Sequence, residues 1–118
     1  MNTAFQRPDA AERRRRAREA RDAFPPMGVY AVRDRTSGRV WIGSSRDVHA
    51  RLTRIQFELR LGAHRQKQLQ AAWREDPTRF SFDVLALVKQ RVDPAFDYAE
   101  ELRGLEQLYR EELCGEVR

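Results

Sequence analysis

A chain of 118 residues with a hydrophobic share of 41% holds one domain with a real core and is too short for two. No apolar run approaches the roughly 20 residues that cross a bilayer, the lone Cys114 excludes an internal disulfide, and no Cys/His spacing matches a zinc site, so a metal would need oxygen ligands. The formal net charge of +5 is uneven: residues 1–24 carry +3, residues 25–90 carry +6 and residues 91–118 carry −4. A basic body favours polyanions, although an arginine-heavy composition with two lysines also arises from codon bias.

Residues 9–23, DAAERRRRAREARDA, combine strong helix formers with no apolar stripe and read as a basic, solvated helix or partly disordered arm. The arginines are followed by no apolar segment, and Asp9, Glu12, Glu19 and Asp22 argue against an acid-poor transit peptide, so a cytoplasmic location is expected. FPPMG then breaks the helix, because neither proline donates a backbone hydrogen bond.

Residues 28–34 and 39–43 alternate in strand fashion around the turn RTSG, which predicts an antiparallel hairpin. Ser44 or Ser45 can cap the next helix, with Asp47 in its first turn. Val48, Leu52, Ile55 and Leu59 form a stripe at helical spacing, and the helix should end near Gly62. A second helix is expected over 65–75 with Leu69, Ala72 and Trp73 on its buried side, stopped at Asp76-Pro77. RFSFDVLALV, residues 79–88, reads as a buried third strand. Tyr98, Leu102, Leu105 and Tyr109 then predict a closing helix over about 97–113. There is no internal repeat.

The order of these elements and the residues at their joints resemble the GIY-YIG nuclease superfamily over residues 27 to about 113. The first triplet is Gly28-Val29-Tyr30, and the second is Trp41-Ile42-Gly43, followed by Ser44-Ser45. Arg51 falls ten residues after the first residue of the second triplet, where the family has an arginine, and LRGLEQLY places the family's metal-binding glutamate at Glu106. The resemblance implies an α/β (α+β) domain over residues 25–118, with a three-stranded antiparallel sheet flanked by helices and residues 1–24 as a basic helical arm. It also implies metal-dependent endonuclease activity on DNA.

That chemistry asks for these residue types. Phosphodiester hydrolysis needs a divalent cation, Mg2+ or Mn2+, and one carboxylate with several waters can hold it, which would be the task of Glu106. An arginine grips the phosphate and the charge of the transition state, which points to Arg51 with Arg54 one turn away as a helper. The attacking water needs a base or positioning group, and the family's tyrosine is Tyr30, whose ordinary pKa near ~10 would have to fall. Gly28 and Gly43 would let backbone and phosphate approach each other, and Ser44 and Ser45 would lie at the start of a helix that can touch phosphate.

Two positions depart from the family pattern. Trp41 stands where the second triplet has a tyrosine, and its indole N–H can donate a hydrogen bond but never act as a base. Ile55 stands where a histidine or tyrosine often sits, with His64 in the following loop as a substitute. Each candidate also has an ordinary structural reading: cross-strand aromatic packing for Tyr30 and Trp41, an Arg54–Glu58 pair, and a Glu106–Arg110 pair at i+4. The alternative functions are a nucleic-acid-binding module of the same fold that no longer cuts, and an arm that docks a protein partner or a second copy.

Overall fold

A computed structural model describes residues 9–22 and 24–113. Cys114 and the first eight residues of the expected arm lie outside the described residues. The elements follow in the order α1 (Ala10–Asp22), β1 (Gly28–Asp34), β2 (Val40–Ser45), α2 (Val48–Leu61), α3 (Lys67–Glu75), β3 (Phe80–Leu87) and α4 (Tyr98–Leu113), with one 3-10 turn at Pro77–Arg79.

The three strands form one antiparallel sheet in the order β2-β1-β3. β1 is central and almost wholly buried, because both of its edges are paired and both of its faces are covered. Val32 faces α2 and α3 in a cluster with Leu52, Ile55, Leu59, Leu69 and Phe80. Val29 and Ala31 face the other way with Ile42, under Leu105, Tyr109 and Leu113 of α4. The period-2 alternation of one strand thus feeds two cores, giving a helix, sheet, helix sandwich. Met27, Val88 and Leu102 close one end with Phe24 and Tyr98.

The predicted stripe of α2 is the one buried, Val48, Leu52, Ile55 and Leu59. Gly62 ends that helix at φ 75°, and its N–H reaches back to the carbonyls of Glu58 and Leu59. The start differs from expectation. β2 runs on through Ser45 because it pairs with Gly28, so the cap is Asp47, whose side chain accepts from the Ala50 N–H at 3.1 Å. Ser45 is spent on the same corner, bonded to the N–H and carbonyl of Asp47.

β3 is an edge strand and only half-buried, rather than the enclosed strand its apolar run suggested; Asp83 and Leu87 are exposed. The hairpin turn is held by Asp34, a carboxylate with 1% exposure. Its Oδ1 accepts from the N–H groups of Thr36 and Ser37 at 3.0 and 3.4 Å, and Arg79 Nε, at the end of the 3-10 turn before β3, lies 3.0 Å away as an ion contact. Gly38, at φ 78°, completes that turn.

Candidate active site

The expected residues converge on the free edge of β2. Tyr30 leaves β1 on the α2 face and lies across Gly43, its partner in the β1–β2 register. A methyl group at Gly43 would collide with the phenol oxygen and ring, so the glycine is the gap through which the tyrosine reaches the edge. From the opposite face, Glu106 of α4 arrives at the same edge and accepts a hydrogen bond from Ser44 Oγ at 2.7 Å on Oε1.

Its other oxygen is occupied by Arg110. Nε and one terminal nitrogen of Arg110 donate to Glu106 Oε2 at 3.0 and 2.8 Å, and that terminal nitrogen also donates to the Ile42 carbonyl at 2.7 Å. A guanidinium therefore bridges a carboxylate and a main-chain carbonyl beside a hydroxyl. An oxygen-only set of this kind also suits a hard divalent cation.

Tyr30 is influenced by both faces. Burial pushes its pKa up, Arg51 opposes this by charge and by hydrogen bonding, Glu106 adds to it, and Arg110 opposes it; the balance is above the ordinary tyrosine value. The phenol therefore carries its proton at neutral pH. The sequence reading asked for a lowered value, and burial outweighs the two arginines that would supply it.

Tyr30, Arg51, Arg54, Glu58, His64 and Arg65 line a cleft of about 330 Å³. Arg51 is exposed on α2, and Arg54 is 3.4 Å from Glu58, the i+4 pair anticipated above. His64 does reach the site, and it borders a second, adjoining cavity with Tyr30, Trp41 and Arg110. Its Nδ1 accepts from the Gln66 N–H at 3.0 Å, which places the ring proton of the neutral form on Nε2. Its own N–H donates to Gln70 Oε1 at 2.9 Å, while Gln70 Nε2 donates to the Leu59 carbonyl at 3.0 Å. The buried Gln70 thus ties the histidine loop to the end of α2.

Other candidates take structural tasks. Trp41 packs toward Phe80 at 6.3 Å with Arg39 over its ring at 5.5 Å, so it is a pillar of the α3 side that also borders the adjoining cavity. Gly28 does not open the backbone to a phosphate: the space for a side chain is filled by the Ala86 carbonyl, next to the irregularity in the β1–β3 register at Val29/Tyr30. Gly43 likewise admits the Tyr30 ring rather than a phosphate. Ser44 meets Glu106, whereas Ser45 turns away to the Asp47 backbone. Sequence reasoning saw Arg110 as a local partner of Glu106 but not its bond to Ile42, and it did not single out Gln70 or Arg65.

This sheet order with helices on both faces is the fold of an endonuclease catalytic domain, as the motif resemblance implied. The catalytic domain of homing endonuclease I-TevI superposes with a TM-score of 0.63 at 19% identity, over 77% of this chain and 91% of that one. A glutamate-to-alanine mutant of the catalytic domain of intron endonuclease I-TevI gives 0.62, also at 19% identity, over 77% of this chain and 87% of that one. No family model and no curated protein matches the chain.

Proposed function

We propose that this chain is a metal-dependent endonuclease that hydrolyses phosphodiester bonds in single- or double-stranded DNA. The observation that carries the reading is a chain of contacts from three elements: Arg51 of α2 lines one cleft with Tyr30 of β1, whose ring lies across Gly43, and the next residue, Ser44, donates to Glu106 of α4. The likeness to endonuclease catalytic domains supports the same reading.

In this reading Arg51 grips the scissile phosphate and the charge that grows on it, with Arg54 beside it. Glu106, which accepts from Ser44 and Arg110, would hold Mg2+ or Mn2+, and a cation there would supply charge neutralisation and acidify water. Tyr30, protonated in the state described, orients the water or phosphate by donating a hydrogen bond. It becomes a base only where added positive charge brings its pKa down. His64 presents Nε2–H as a second donor. Residues 1–24 serve as a basic arm for DNA, for a protein partner or for a second copy, and the working location is cytoplasmic.

A second reading is a DNA-binding module that does not cut, and Trp41 favours it: the indole is held in packing where the family's second phenol would be. Incubating the protein with single- and double-stranded DNA, with and without Mg2+ or Mn2+, separates the two. Cutting that depends on metal and is lost in Glu106→Ala and Arg51→Ala is expected; salt-sensitive binding with no cutting overturns the enzyme.

A further inference from the structure

The outer face of α2 carries an aromatic ring that no core claims. Phe57 is 56% exposed, one turn beyond Arg54 and three residues before Arg60. Thr53, Arg54, Phe57 and Arg60 line a shallow depression on that face, which His49 and Asp47 border toward the start of the helix. Arg54 also lines the cleft that holds Tyr30 and Arg51, so cleft and depression meet at this side chain. The two acids nearby are engaged, Asp47 in capping the helix and Glu58 with Arg54. Arg54, Phe57 and Arg60 follow one i, i+3 row and span about 9 Å along the helix at the rise of ~1.5 Å per residue, long enough to lie beside more than one phosphate.

We infer that this face receives an unpaired stretch of DNA as it leaves the cleft, one base stacking on Phe57 while Arg54 and Arg60 take the flanking phosphates. The inference rests on the nuclease reading and narrows its substrate. An exposed ring between two cations matches a strand with free base faces, because stacking accepts any base and arginines track the backbone. A continuous duplex offers phosphates to the arginines but no face to the phenyl ring. The preferred substrate is therefore DNA with single-stranded character beside the scissile bond.

The test is fluorescence anisotropy of a labelled oligothymidylate and of a duplex of equal length, in EDTA, with wild-type protein, Phe57→Ala, Phe57→Trp and Arg60→Gln. Phe57→Ala should weaken oligothymidylate binding about ten-fold or more, with the salt dependence and the duplex affinity unchanged. Phe57→Trp should keep the affinity, and Arg60→Gln should lower the log-salt slope by about 0.7 for the single strand. Single-strand affinity within two-fold of wild type in Phe57→Ala overturns the inference. So does sedimentation showing that Phe57→Ala dissolves a dimer with DNA binding intact, which assigns the face to a second copy. Wild-type protein that neither binds nor cuts either DNA removes the nuclease reading itself, a distinguishable failure.

Discussion

Arg110 sits on Glu106 with two hydrogen bonds to one carboxylate oxygen while the other oxygen accepts from Ser44. The carboxylate assigned to the metal is thus held by a side-chain cation that is itself anchored to the Ile42 carbonyl. A divalent ion held by Glu106, as proposed, would compete with a charge already in place.

Replacing Arg110 by glutamine should therefore tighten the binding of Mn2+ to the DNA-free protein. Charge-assisted hydrogen bonds at a half-exposed pair are worth about 1 kcal/mol, so a several-fold lower Kd by calorimetry is expected. An unchanged or weaker Kd would show that the guanidinium does not compete for Glu106.

Gly43→Ala tests the passage that Tyr30 uses. The added methyl must displace the phenol, and a displacement of about 1 Å at a reacting group costs on the order of 100-fold in rate. The variant should melt within a few degrees of wild type and yet lose cleavage by about two orders of magnitude. Wild-type cleavage by a folded Gly43→Ala protein would separate Tyr30 from the chemistry.

Gln70→Leu keeps the volume of the side chain but takes away the partner of the His64 N–H and leaves the Leu59 carbonyl with the Gly62 N–H alone. An unpaired polar group taken out of water costs about 1–3 kcal/mol, so urea denaturation should show a loss of roughly 1–3 kcal/mol. Cleavage should fall beyond what the unfolded fraction explains, because the histidine loop is released. A variant as stable as wild type would mean that water or another group satisfies the His64 N–H.

Asp34 gives the fold an acid-sensitive staple. Burial opposes its charge, but hydrogen bonds from Ser37 and from the backbone at Thr36 and Ser37, with Arg79 beside them, together hold its pKa below the usual carboxylate value. The folded state thus keeps the carboxylate ionised where the unfolded chain takes up a proton. This contribution is present above about pH 4 and is lost as the pH falls through the folded-state value. Thermal melting should drop more steeply for wild type than for Asp34→Asn between about pH 5 and pH 2.5, and parallel curves would assign the staple to packing alone.

Local patterns were legible because they depend on neighbours in sequence. The hairpin followed from alternation, α2 from the spacing Val48, Leu52, Ile55, Leu59, and its end from Gly62. The start of α2 was misplaced because Ser44, Ser45 and Asp47 all offer capping oxygens, and only the pairing of Ser45 with Gly28 decides among them. At the site, the family resemblance pointed to Tyr30, Arg51 and Glu106. It could not tell that Gly28 faces the Ala86 carbonyl, that Arg110 reaches across to Ile42, or that burial raises Tyr30, since each depends on contacts between distant segments.

The free edge of β2, where three separate elements meet, has a bearing on when this protein can act. Tyr30, Arg51 and Glu106 are spread over 77 positions of chain, and no helix or strand carries two of them. A peptide released by proteolysis between them, or a nascent chain that has not yet packed α4 against the sheet, holds the parts without the chemistry. The proposed activity on DNA would then appear in one step with the completed sandwich, and in that reading the fold itself guards against stray cutting during synthesis.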